Sequence, residues 1–174
     1  MVYENRTRTI IMLVILYNVR SLHNVGSIFR TADAAGIEKI YLTGITPAPV
    51  DIFGKSRQQL TKVSLGAEKY VNWDASARSA RATIKLLENL KSDGYKIFCV
   101  EQSKKSILYY KIPKSYILNS KFCLIFGNEI KGLPASILKQ ADKILEIPMR
   151  GKKESLNVAV AFGIVAFHLI HTYN

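Results

Sequence analysis

Residues 147–161, IPMRGKKESLNVAVA, run from a strand end through a basic loop into a helix start, and the fold reads outward from them. Residues 144–147 have the character of a short buried strand, and Pro148 ends it because proline offers no N–H to a ladder. Gly151 is expected to let the backbone turn closely around a bound group. Ser155 or Asn157 can cap a helix whose free N–H groups face the same concavity. Capped connections of this kind are common in α/β domains, so the block alone speaks for architecture before function.

Two earlier blocks repeat the form of an apolar run, then polar residues with glycine, then a helix. They are NVRSLHNVGSIFRTADAAG at residues 18–36 and LIFGNEIKGLP at residues 124–134. Along the chain apolar runs alternate with helical patterns, which predicts an α/β fold with a mostly parallel sheet flanked by helices. Strands are expected at residues 10–17, 39–42, 95–100, 122–126 and 143–147, with a weaker one at 70–73. A helix over 24–35 puts Val25, Ile28, Phe29 and Ala32 on one face, with Asn24 as its N-cap and Gly36 as its C-cap. A second helix over 76–93 carries Ile84, Leu87 and Leu90 as an apolar stripe, and short helices should follow Arg57 and Pro134. A last helix over 156–171 is apolar all round and must be covered all round, which points to a homodimer interface. No repeat, low-complexity tract or composition break marks a second domain, and 174 residues suit a single one.

The chain holds 25 Lys and Arg against 13 Asp and Glu, a net charge of +12, so its surface should attract polyanions. Charge of this kind names a class of partner and no individual one. Cys99 and Cys123 lie in apolar runs without a second Cys or His at ligand spacing, so they read as buried thiols in a reducing, cytoplasmic setting. Arg6 and Arg8 precede the apolar run 10–17 as in a signal peptide, but Asn18 and Arg20 follow it with no small-residue cleavage site. The apolar run 158–167 is too short for a bilayer, which takes about 20 residues. No membrane partner is expected.

The three blocks, taken together, resemble a known family. N-x-G-x-x-x-R-T-A at residues 24–32, F-G-N-E-x-K-G-L at 126–133 and I-P-M-x-G-x-x-x-S-L-N-V at 147–158 look like the three motifs of SpoU/TrmH-type RNA ribose 2′-O-methyltransferases, of the knotted SPOUT class. The resemblance implies a C-terminal trefoil knot, which no sequence heuristic predicts because knots are so rare. It also implies S-adenosylmethionine as methyl donor, a homodimer, and methyl transfer to a ribose 2′-hydroxyl of structured RNA. No metal is needed for that reaction. The chain's size is similar to minimal members that act on tRNA, which favours tRNA over ribosomal RNA. The alternatives are an rRNA methyltransferase and a non-catalytic RNA-binding protein of the same fold.

By the same resemblance, Arg30, Asn24, Glu129, Ser155 and Asn157 are the catalytic candidates. Arg30 leaves the apolar face of its helix and matches the family's catalytic arginine, sometimes described as a base. A guanidinium stays protonated, so clamping a phosphate and orienting the 2′-hydroxyl is the easier chemistry. The apolar slot for the cofactor is expected from Val100, Gly127, Ile147, Met149 and Leu156, of which Gly127, Ile147 and Leu156 match family positions directly. Lys55, Arg57 and Lys62, with Arg150, Lys152 and Lys153, are the candidate RNA contacts. PVDIFGKS at residues 49–56 is one residue from a phosphate-binding G-x-x-x-x-G-K-[ST] loop, but Pro49 removes the first permissive backbone position.

Overall fold

The computed structural model describes residues 10–117 and 120–173; Arg6 and Arg8 lie outside them. Seven strands form one sheet in the order β3-β2-β1-β6-β4-β7-β5. They are β1 (Ile11–Tyr17), β2 (Lys39–Thr43), β3 (Asn72–Asp74), β4 (Tyr95–Val100), β5 (Ile107–Leu108), β6 (Lys121–Phe126) and β7 (Lys143–Glu146), and every pairing is parallel. The helices are α1 (Leu22–Ala35), α2 (Gln58–Ser64), α3 (Ala80–Ser92), α4 (Lys114–Ile117), α5 (Ala135–Leu138) and α6 (Val158–Tyr173).

The central strands are apolar on both faces because both faces are covered. Val14, Leu16, Phe98, Leu124 and Phe126 point to one side and join Ile28 and Phe29 of α1 and Phe162, Val165 and Leu169 of α6. Leu13, Ile15, Ile97, Cys123 and Ile125 point to the other and meet Leu87 and Leu90 of α3 and Ile137 of α5. Each such side chain, fully buried, contributes about 1.5–3 kcal/mol. Cys99 and Cys123 are free buried thiols within the second of these cores.

Three expected boundaries move, each for a local reason. α1 starts at Leu22, and its N-cap is Ser21, whose extended backbone lets the hydroxyl accept from the Asn24 N–H. Asn24 is therefore an interior helix residue rather than the cap, and its side chain is free for other partners. Residues 76–79 stay outside α3 because Asp74 Oδ1 accepts from both the N–H and the hydroxyl of Ser76, and Ser79 becomes the cap. Tyr70 and Val71 close a 3₁₀ turn over Ala67–Lys69 through N–H bonds to the Ala67 carbonyl, so β3 begins only at Asn72. The two-residue edge strand β5 is not among the expected strands.

β1 and β6 are neighbours, with β2 and β3 on one side and β4, β7 and β5 on the other. The crevice beyond the carboxyl ends of strands at such a reversal of strand order is where open α/β sheets bind ligands. All three sequence blocks leave the sheet at that end.

Candidate active site

The residues that end β1 and β6 are tied to each other before any ligand is considered. Asn128 donates from Nδ2 to the Asn18 carbonyl at 2.8 Å, while its Oδ1 accepts from the N–H groups of Ile130 and Lys131. Glu129 then reaches the start of α1. Its Oε1 accepts from the Ser21 N–H at 3.0 Å and from Asn24 Nδ2 at 3.1 Å, and the Arg20 N–H is shared between its two oxygens. Burial pushes the Glu129 carboxyl upward, but these N–H groups, its own among them, outweigh burial and hold it below its ordinary value. It is an ionised anchor for the positive end of α1.

Asn24 carries the connection onward. Its Oδ1 accepts from Asn157 Nδ2 at 3.0 Å, and Asn157 Oδ1 accepts from the Ala159 N–H, capping α6. Of the two cap candidates, Asn157 takes the role. Glu129, Asn24 and Asn157, one from each block, thus form a single hydrogen-bonded series across 105 and 133 residues of chain.

Beside this series a cleft opens at the ends of β4, β6 and β7. All five cofactor candidates, Val100, Gly127, Ile147, Met149 and Leu156, line it, together with Glu129 and Ser155. Phe126 and Leu145 add apolar wall, and Glu101, Gln102 and Glu146 add polar rim. Gln102 Nε2 donates to the Glu154 carbonyl at 2.5 Å and so ties the loop after β4 to the third block. An apolar slot with a few oriented polar groups and acidic side chains at its rim suits an adenosine joined to a cationic sulfonium.

Gly127 stands in this wall, but its smallness answers to the protein itself. A Cβ there would lie 2.5 Å from the Gly132 carbonyl carbon and 2.8 Å from the Leu133 nitrogen. Gly132, at φ +61°, has the Glu101 carboxylate against it, and Glu101 Oε2 accepts from the Leu133 N–H at 2.9 Å. Gly151, by contrast, has no protein atom within 4 Å of a notional Cβ, so no protein contact requires glycine there.

The remaining candidates lie outside the cleft lining. Arg30 is exposed on α1, six residues beyond Asn24, and has no hydrogen bond or ion pair among the described residues. Lys55, Lys62, Arg150, Lys152 and Lys153 are exposed and Arg57 is half-buried, in two groups: one between β2 and the end of α2, the other on the loop from β7 to α6. In the near-match to a phosphate loop, Asp51 Oδ1 occupies the N–H groups of Phe53 and Lys55, so they are not directed at a phosphate. Sequence reasoning missed Glu101, Gln102 and Asn18. Their signal was position alone, since each follows directly on a strand's carboxyl end or lies one residue beyond it.

The chain matches the SpoU rRNA methylase family over residues 11–167. It is 31% identical over 166 residues to the tRNA (guanosine(18)-2′-O)-methyltransferase of Aquifex aeolicus, covering 95% of this chain and 71% of that protein. The S-adenosylmethionine-bound rRNA methyltransferase of Sinorhizobium meliloti superposes with a TM-score of 0.81 at 27% identity, over 94% of this chain and 57% of the other. A protein whose structure bears on 2-OH methylation of C/U34 on tRNA gives a TM-score of 0.72 at 26% identity, over 91% of this chain and 93% of that one. With the parallel sheet, the linked blocks and the cleft between them, this match places the chain in the SpoU rRNA methylase family.

Proposed function

We propose that the chain transfers the methyl group of S-adenosylmethionine to a ribose 2′-hydroxyl of structured RNA, tRNA in preference to rRNA. The observation that carries this is the hydrogen-bonded series from Glu129 through Asn24 to Asn157 beside an apolar cleft. When bound, S-adenosylmethionine would supply a methyl activated by its sulfonium, leaving as the neutral thioether while the 2′-hydroxyl proton passes to solvent. Val100, Ile147, Met149 and Leu156 would hold the adenosine. Glu129, committed to N–H groups of Arg20, Ser21 and Asn24, positions Asn24 rather than taking a proton. Ser155 and Asn157 line the approach of the ribose, and Arg30 clamps the RNA backbone so that the oxygen meets the methyl in line.

The tRNA preference draws support from the Aquifex relative and from the likeness to the protein concerned with C/U34, 93% of whose chain is covered. Three further parts belong to the same reading. The methyltransferase unit is one domain with a trefoil knot at its C-terminal end, a threading compatible with α6 starting beside the loops that follow β1 and β6. It works in the cytoplasm, the reducing setting that its two free buried thiols suit. It is a homodimer through α6, which packs on α1; the side chain of Thr31, next to Arg30, lies 3.7 Å from a notional Cβ at Gly163.

The test is single-turnover methyl transfer to a native tRNA and to the same RNA with a 2′-deoxy target. Arg30→Ala and Arg30→Lys should both lower transfer by at least about a hundredfold, because misplacing the oxygen by about 1 Å costs that much, while cofactor affinity stays unchanged. Methylation of the deoxy substrate, or a fully active Arg30→Ala protein, would overturn the reading.

A further inference from the structure

A second cleft lies on the other side of the Arg20 segment from the cofactor slot. The Arg20 N–H faces Glu129 in the first cleft, whereas the residue also lines the second. The second cleft is built at the carboxyl ends of β1, β2 and β3, from Arg20, Arg57, Arg78, Trp73, Ile45 and Pro47 among others. It brings three guanidinium groups to one concavity. None of them has an ion pair among the described residues, and the one carboxylate in the lining, Asp51, is taken up by the N–H groups of Phe53 and Lys55.

One of the arginines is already set in place, and a second has an N–H to spare. Arg78 Nη1 donates to the Thr46 carbonyl at 2.6 Å and to the Gly44 carbonyl at 3.4 Å, which pins the fork to the loop after β2. Arg57 Nε is buried and has no acceptor among the described residues. A buried N–H of a cation without an acceptor is unfavourable, and an anionic oxygen from outside would relieve it. Half-buried Trp73 lines the cleft with these cations, together with Ile52, which is 90% exposed. Positive forks next to an aromatic and apolar wall match a single nucleotide, which offers an anionic phosphate and a planar base at once.

We infer that this second cleft seats an unpaired nucleotide of the RNA flanking the one that is methylated, its phosphate among Arg20, Arg57 and Arg78 and its base against Trp73. The inference rests on the RNA methyltransferase reading, and it supplies that reading with a subsite that fixes which stretch of RNA presents its ribose to the first cleft. Because Arg20 lines the second cleft and its N–H is bonded to Glu129 in the lining of the first, a strand could lie across both.

Trp73 is the one tryptophan of the chain, so indole fluorescence reports this cleft alone. Titration of the protein with a five-nucleotide oligouridylate should quench that emission saturably, in the presence or absence of S-adenosylmethionine. Arg57→Gln and Arg78→Gln, each checked for an unchanged melting temperature, should weaken the effect about tenfold, as expected for one charged phosphate interaction. In methyl transfer they should raise KM for tRNA and leave the rate at saturating tRNA in place. Equal quenching by inorganic phosphate or an abasic ribose-phosphate pentamer would reduce the cleft to an anion site, and displacement of the oligonucleotide by an equally avid polyglutamate would assign it to a protein partner. Either overturns the inference. Methylation proceeding with Trp73 silent and both variants normal overturns it while the methyltransferase reading stands. Quenching with no RNA methylated leaves the nucleotide cleft and removes that reading.

Discussion

Glu129 shows how much of this site depends on one side chain whose sequence neighbours say nothing of its partners. Its carboxylate spans to the start of α1, and the bonds that lower its proton affinity are the ones that fix the first block against the second. A carboxyl held below its ordinary value of 4.5 adds stability that is fully present above that value and is lost as the pH falls through the lower, folded one. Glu129→Gln should therefore cost about 1 kcal/mol at pH 7, below the roughly 1.5–3 kcal/mol of a charged hydrogen bond because the group is only partly buried. The difference from the parent should shrink as the pH falls below 4.5, and urea unfolding from pH 7 to 3 measures it. A second contrast separates loop geometry from ligand geometry. Gly127→Ala should destabilise the protein and weaken S-adenosylmethionine binding together, because its Cβ meets the Gly132 carbonyl carbon at 2.5 Å, whereas Gly151→Ala should leave melting temperature and cofactor affinity where they were.

At the scale of the element, α6 is the helix whose sequence says least about its own facing. Val158, Phe162, Val165, Ala166 and Leu169 are buried in the core, but Val160 remains 51% exposed, and Ile164 and Phe167 only half-covered. An exposed apolar stripe of this length on a helix is what a second copy would cover. Val160→Lys should shift the protein from dimer to monomer in sedimentation at micromolar concentration, with the far-ultraviolet spectrum unchanged. A parent protein that sediments as a monomer would contradict the dimer. α1 illustrates the opposite case: its apolar face was plain from Val25, Ile28, Phe29 and Ala32, yet its first turn was misplaced. The cap depends on which of Ser21 and Asn24 the rest of the fold requires elsewhere.

For the whole molecule, a net charge of +12 gathered partly into two exposed basic groups predicts RNA binding that weakens steeply with salt. Neutralising Lys55, Arg57, Arg150, Lys152 and Lys153 together should lower the slope of log affinity against log salt by roughly 0.7–0.9 for each phosphate that no longer meets a cation. An affinity flat between low and physiological salt would show that this surface does not bind RNA electrostatically. The sequence by itself determined the strands β1, β2, β4, β6 and β7, the apolar faces of α1 and α3, the three blocks, and five residues that line one cleft. These are matters of periodicity, glycine and proline placement, and local motif, all set by neighbours in the chain. The tertiary structure alone decided that Asn24 is a link rather than a cap, that Gly127 makes room for its own loop, that no protein atom crowds Gly151, and that Glu101 lines the cleft. It alone gathered Arg20, Arg57 and Arg78 around Trp73. Those outcomes depend on contacts between segments tens to more than a hundred residues apart, and the order of strands in the sheet, rather than any local pattern, brings such segments together.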